Sequence, residues 1–242
     1  MNRKIVITGA SGEIGGAIAS KFAAEGDTLL LVGYRNSDAL EALCDNLSQD
    51  GASCISVTAD LSTLEGVESV VTAVDRFLGG VDVLINNAGL SHVELFQDST
   101  DENLAEIVNT NLLSAVRLTK SLVPAMVSKK SGRILNITSV WGEVGASMEV
   151  EYSMTKGGLI AFTKALAKEL APSGIAVNAI SPGAIDTKMN ACHSAEELAA
   201  LAEEIPVGRM GTPEEVAELT YLISNAPLYL TAQNIRIDGG WV

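Results

Sequence analysis

The chain has 242 residues, 47% of them hydrophobic and 19% charged, which is enough to bury a sizeable core and too apolar for a disordered chain. Its net charge of −14 disfavours nucleic acid and anionic membrane as partners. Cys44, Cys54 and Cys192 show no CxxC spacing, and His92 and His193 are isolated, so no metal site is expected; without a secretory or membrane-length apolar run, the expectation is a cytoplasmic protein with reduced thiols.

In chain order, Lys4–Thr8 predicts a strand. The glycine-rich turn Gly9-Ala10-Ser11-Gly12-Glu13-Ile14-Gly15-Gly16 follows, then a helix through Phe22. Strand, glycine turn and helix in that order set a dinucleotide pyrophosphate on a helix N-terminus; the alternative is a tight turn without a ligand. Thr28–Val32 predicts the second strand. At its end NAD-binding chains place an acid against the ribose 2′-hydroxyl, whereas a basic residue there suits a 2′-phosphate. Here the sequence reads Gly33-Tyr34-Arg35-Asn36-Ser37, with no acid before Asp38. Arg35 and Ser37 favour NADP(H) over NAD(H); the competing reading makes Arg35 a solvated turn residue.

Strands and helices then alternate. A strand over 52–59 ends at Asp60-Leu61 and precedes a helix over 64–77; a strand over 81–85 ends at Asn86-Asn87-Ala88-Gly89. An amphipathic helix over 101–128, broken near Pro124, precedes a strand over 133–137 that leads to Thr138-Ser139. After a helix over 152–170 come a strand over 175–180, the turn Ser181-Pro182-Gly183, a helical stretch over 187–204, a helix over 214–224 and a last strand over 235–237. This alternation predicts one α/β domain spanning 1–242: a Rossmann-type, doubly wound sheet of about seven parallel strands with helices on both faces.

Within the helix over 152–170, Tyr152 and Lys156 stand at i and i+4 on one face. An ammonium beside a phenol is expected to lower the phenol pKa, fitting it to donate or accept a proton near neutral pH. The plainer alternative is a surface pair.

Taken together, these residues resemble the short-chain dehydrogenase/reductases over essentially the whole chain. The resemblance rests on Thr8-Gly9 with Gly15, Asp60, Asn86-Asn87-Ala88-Gly89, Asn111, Ser139, Tyr152 with Lys156, Pro182-Gly183 with Thr187, and Asp238-Gly239-Gly240. It implies an NADPH-dependent ketoreductase. Tyr152 would be the proton donor, Lys156 its modulator and the holder of the nicotinamide ribose, Ser139 the partner of the substrate carbonyl, and Asn111 the anchor of a water relay. The cofactor would lie against Gly9, Ser11, Glu13, Ile14 and Gly15 at the turn, Tyr34, Arg35, Asn36 and Ser37 at the ribose, and Asp60 and Leu61 at the adenine. Asn87, Ala88, Gly89, Tyr152, Lys156, Pro182, Gly183, Ile185 and Thr187 would complete its nicotinamide side. Relatives form homotetramers through the helices at about 101–128 and 152–170. The stretch 187–204 would be a lid over substrate.

Two departures from the family pattern stand out. Glu13 occupies the usual place of the middle glycine, and is expected to point into solvent, away from the pyrophosphate. Ala232 replaces the glycine of a Thr-Gly-Gln near the end and is compatible with a negative φ.

The pocket is expected from Ser139, Trp141, Glu149 and Tyr152. The pattern resembles the 3-oxoacyl-acyl-carrier-protein reductases, with Lys129 and Lys130 available to an acidic carrier protein. Trp141 with Glu149 and the later Glu203-Glu204-Ile205-Pro206 also resemble a neighbouring branch, which reduces a 5-aminopentanone-type group on a lysine of elongation factor P; a carboxylate near the pocket, Glu149 or Glu151, suits its ammonium. The plain alternative leaves Glu149 a solvated loop residue and Trp141 a packing residue. A third possibility, a catalytically silent NADP-sensing protein, fits less well, because Asn111, Ser139, Tyr152 and Lys156 are all present.

Overall fold

A computed structural model describes residues 2–188 and 194–242. Its sheet is built from β1 (Lys4–Thr8), β2 (Thr28–Gly33), β3 (Ser53–Thr58), β4 (Val83–Asn86), β5 (Gly132–Ile137), β6 (Ile175–Pro182) and β7 (Asn234–Ile237). The order is β3-β2-β1-β4-β5-β6-β7, with every pairing parallel. The central strands are apolar on both faces because both are covered: β4 and β6 are buried throughout. The expected seven-stranded, doubly wound sheet is what the structure has. Since β1 pairs with β2 on one side and β4 on the other, the chain reverses direction across the sheet at β1. That leaves a crevice above the carboxyl ends of β1 and β4.

One face is covered by α1 (Glu13–Ala24), α2 (Ser37–Gln49) and α9 (Pro213–Ser224), whose Ile18, Phe22, Leu40, Leu47 and Ala217 pack on Ile5, Ile7, Leu29 and Leu31. The other carries α3 (Leu64–Ala73), α5 (Ser114–Lys129) and α7 (Val150–Leu170), whose Val67, Val70, Leu118, Leu122, Ala167 and Leu170 meet Val6, Leu30, Leu84 and Ile134. Leading into α5 are α4 (Asp101–Val108) and a π-helical turn, Asn109–Leu113. Two short helices, α6 (Trp141–Val144) and α8 (Ala195–Glu204), complete the set named here.

Two expectations change. Pro124 does not break its helix, which runs on to Lys129. The hydrogen bond it removes would have reached the carbonyl of Lys120, and both residues lie on the exposed side, where water can serve that carbonyl. Ala232 has φ of +63°, not a negative value. It is held in that left-handed strain by its N–H on the Val177 carbonyl (2.9 Å) and by Thr231 Oγ1, which accepts from the Val177 N–H (3.1 Å). Within the expected lid over 187–204, α8 begins at Ala195 behind a Ser194–Glu197 capping box. Residues 189–193, including Cys192 and His193, lie outside the described residues.

Candidate active site

The crevice begins at the glycine turn. Gly9 has φ of +66°, and a Cβ there would lie 2.8 Å from the Ala88 Cα, so only glycine lets the turn after β1 press on the segment after β4. Thr8 Oγ1 accepts from the N–H groups of Asn87 and Ala88, both at 3.0 Å, and the Asn87 side-chain amide donates to the carbonyls of Thr8 (3.0 Å) and Gly9 (3.2 Å). Two strand ends are thereby fixed as one rim.

The N-terminus of α1 opens onto this rim. Gly12, its N-cap, provides no side-chain hydrogen bond. By contrast Asn36, Thr63, Thr100, Ser194 and Thr212 each cap a following helix with a side-chain oxygen. The first-turn donors of α1 are thus left for another acceptor, which fits a pyrophosphate at this place. Ser11 sits over the end of β2, its Oγ only 3.0 Å from where a Gly33 Cβ would stand. Ile14 and Gly15 are half-buried and buried behind the turn.

Glu13 does not simply point away. It is exposed, yet its carboxylate accepts from the Lys188 backbone N–H at 2.5 Å, bridging the glycine turn to the segment after β6. The expectation of a solvent-directed side chain overlooked that free donor. Beneath this bridge, Gly183 donates to the Ile237 carbonyl (2.9 Å), the Pro182 carbonyl accepts from Val140 (3.0 Å), Ile185 pairs with Gly211, and Thr187 Oγ1 lies 3.4 Å from the Ile185 carbonyl.

Past β2, Tyr34, Arg35 and Asn36 are exposed and Ser37 is half-buried. Asn36 is already used as the cap of α2, accepting from Ala39 (3.3 Å). Arg35 is ion-paired with Glu106. Asp60 receives the N–H and hydroxyl of Ser62 on one oxygen, at 2.9 and 2.7 Å, and the neighbouring Leu61 is buried.

At the other end of the crevice, Ser139, Tyr152 and Lys156 come together between β5 and α7. A Cβ on Gly142 would stand 2.7 Å from the Lys156 carbonyl carbon, so glycine at that position allows α6 to sit against α7 directly behind the site. Ser139 is buried; its Oγ accepts from the Trp141 N–H (3.2 Å), and it lies close enough to the Tyr152 phenol to draw the phenol pKa down. Lys156 is buried, donates to the Ile137 carbonyl (2.9 Å), and lies 5.6 Å from the centre of the Tyr152 ring.

The electrostatics differ from expectation. Tyr152 keeps part of its surface accessible, but loss of water around the phenol pushes its pKa up to about 12; the nearby Ser139 hydroxyl works against this and the Glu149 charge with it. Burial, rather than the neighbouring ammonium, sets the direction of the phenol's shift. Lys156 is turned to a strand carbonyl and is itself pushed down to about 8 by burial. At neutral pH the phenol holds its proton and the amine is still largely charged.

Asn111 lies in the π-helical turn, the kind of helix defect that recurs at functional positions. It is buried and gripped by Leu90, donating to its carbonyl (2.7 Å) and accepting from its N–H (2.8 Å); Thr155 Oγ1 is 3.4 Å away. Its Oδ1 and the Lys156 amine lie equally close, 3.4 Å, to the position of a Gly89 Cβ, so the two side chains converge on Gly89.

Glu149 is half-buried, accepts the Ser91 hydroxyl at 2.5 Å and is near enough to raise the Tyr152 pKa. Trp141 packs edge-on against Trp241, centroids 4.8 Å apart. Ser91 and Trp241 were missed in the sequence reading. Met148 has φ of +64°, and its carbonyl accepts from the Glu94 N–H (2.9 Å), closing one loop on another. Nothing local in the sequence marks these contacts. Lys129 and Lys130 are at the opposite edge of the sheet: Lys129 is paired with Asp82, at the start of β4, so neither borders this chain's crevice.

Residues 3–198 match the family described as short chain dehydrogenase. The chain is 42% identical to an uncharacterized oxidoreductase, YmfI, of Bacillus subtilis, over 100% of this chain and 99% of that protein. It is 37% and 36% identical to the 3-oxoacyl-[acyl-carrier-protein] reductases FabG of Aquifex aeolicus and Escherichia coli, over 97% of this chain and 95% of each.

Proposed function

The chain belongs to the short-chain dehydrogenases, a family of oxidoreductases, and from that premise we propose that it is an NADPH-dependent ketoreductase of the 3-oxoacyl-carrier-protein type. The observation that carries the reading is the meeting of Ser139, Tyr152 and Lys156 at the mouth of the crevice, with Asn111 and Lys156 converging on Gly89. When bound, the nicotinamide cofactor supplies the hydride.

The chain's own residues do the rest. The uncapped start of α1 receives the pyrophosphate and Arg35 with Ser37 the 2′-phosphate; Asp60 and Leu61 flank the adenine, and Asn87 to Gly89 with Pro182, Gly183, Ile185 and Thr187 border the nicotinamide. Tyr152 holds a proton at its phenol oxygen and passes it to the carbonyl oxygen that gains negative charge. Ser139 donates a hydrogen bond to the same oxygen, stabilising the charge as it develops. Lys156 positions the ribose and, as the adjacent cation, favours the tyrosinate left behind. We further propose one catalytic domain over 1–242, a lid within 187–204, a cytoplasmic setting and a homotetramer. In support of the last, Met154, Leu104 and Val127 stand exposed on the helices concerned.

A second reading has one observation in its favour. The Glu149 carboxylate beside Tyr152 suits a ketone carrying an ammonium group, such as the aminopentanone-modified lysine of elongation factor P. NADPH oxidation with an acetoacetyl thioester, with NADH as control, separates the possibilities. Fast turnover with NADPH alone supports the first reading. Tight NADPH binding with negligible thioester turnover shifts support to the amino-ketone, and equal use of NADH would remove the role given to Arg35.

A further inference from the structure

Arg35 stands just past β2, and His92 lies in the segment that follows β4; β1 runs between those two strands. Glu106, on α4, links them. One of its carboxylate oxygens pairs with the Arg35 guanidinium and the other with His92 Nε2 at 2.9 Å. The three side chains therefore form a strap between the segments that follow β2 and β4, all partly exposed, at 63% for Arg35, 37% for Glu106 and 30% for His92. A carboxylate offers a guanidinium two anionic oxygens in a plane, the same recognition that a phosphate offers with three oxygens and more charge.

We propose that Glu106 tempers cofactor choice by competing for Arg35, holding it over the crevice in the place of a ribose 2′-phosphate and giving it up only to that phosphate. The proposal rests on the NADP(H) reading of Arg35. A 2′-hydroxyl carries no charge to exchange for the carboxylate, so a cofactor lacking the phosphate leaves Arg35 strapped to Glu106. The phosphate replaces it, and the exchange lowers NADP(H) affinity by the worth of an exposed ion pair while keeping the guanidinium in place before the cofactor arrives.

The test uses the full chain and two fragments, adenosine 2′,5′-bisphosphate and 5′-AMP, titrated by calorimetry at fixed ionic strength. The parent should prefer the bisphosphate. Glu106→Gln should tighten the bisphosphate by about two- to fivefold, the size of an exposed ion pair, and leave 5′-AMP unchanged. Glu106→Ala should do the same, with melting temperature recorded for both variants to show that α4 is intact. In an Arg35→Ala background the gain should vanish, because Glu106 acts through Arg35; a general repulsion of phosphate by the carboxylate would persist there. A parent that discriminates while Glu106→Gln changes nothing, or a gain that survives without Arg35, overturns this proposal and leaves the NADP(H) reading standing. A parent that binds the two fragments equally overturns that reading and the proposal with it.

Discussion

The two edges of the sheet are built on opposite principles. At the edge where the strands begin, charge is paired. Arg3 reaches Asp27 with its backbone N–H and its Nε at 3.2 and 3.1 Å, and a second guanidinium nitrogen at 2.5 Å; it also donates to Ser224 and Asn225 at 3.0 Å and lies over the rings of Phe22 and Tyr221. Asp82 joins Lys129 to the Lys4 N–H; burial alone would raise this carboxyl, yet those partners hold it below its usual range. At the edge where the strands end, charge around Tyr152 and Lys156 is left unbalanced. Lys156 is buried with a carbonyl for partner and its pKa falls; Tyr152 is hemmed in and its pKa rises; α1 has no side-chain cap. One edge spends its polar groups on stability, whereas the other keeps them available for a ligand.

The comparison breaks most visibly if each edge is given the other's character. Arg3→Ala would strand the buried Asp27 carboxylate, which is 5% exposed, and release the last turn of α9. The expected cost is about 3 kcal/mol of unfolding free energy, the low end for removing one partner of a buried pair. Denaturant titration should show the loss, while NADPH affinity and turnover per folded molecule stay as in the parent. A variant of parental stability would mean that the pairing at this edge contributes nothing net.

Lys156→Met tests the other edge, and its signature is a dependence on pH. Lys156 has a lower pKa folded than unfolded, so below about pH 8 both states are protonated and the folded chain bears the full cost of a buried ammonium. As pH rises from about 8 towards the ordinary lysine value, the folded chain releases its proton before the unfolded one, and that cost disappears. The displacement corresponds to about 3 kcal/mol. Methionine removes this cost together with the bond to Ile137, which is independent of pH. Relative to the parent, the variant should therefore be favoured most at pH 6–7, with the difference shrinking between about 8 and 10.5 while ketone reduction is lost throughout. A stability difference that stays flat from pH 7 to 10 would show that the amine is not desolvated.

How much of this could be read in advance follows from what each feature depends on. The parallel, doubly wound sheet and the shared face of Tyr152 and Lys156 were legible because strand-turn-helix alternation and i, i+4 spacing are local properties that carry through to the fold, whereas Ser139 was placed by the family resemblance. Whether Ala232 has positive φ depends on Val177, in a neighbouring strand. That Lys129 borders the wrong edge follows from Asp82, and Arg35's partner lies on a helix 71 residues away. The shift of Tyr152 was misjudged in sign because sequence supplies the neighbouring ammonium but not the depth of burial that outweighs it.

Glu13 sharpens the comparison with the smallest expected effect, because it stands at the functional edge yet is committed to a partner like the residues at the structural one. Its carboxylate is committed to the Lys188 N–H across the very turn whose donors would meet a pyrophosphate. Glu13→Gln keeps an oxygen for Lys188 and removes the negative charge. Every nicotinamide dinucleotide contains the pyrophosphate, so NADPH and NADH should both tighten by the same factor, about twofold for one exposed charge several ångströms away in water. Titration of cofactor fluorescence at low and high salt checks this, with the gain shrinking as salt screens it. If both cofactors bind more weakly instead, the charged contact to Lys188 does more to organise the segment after β6 than it does to repel the phosphates, and Glu13 belongs with the structural edge after all.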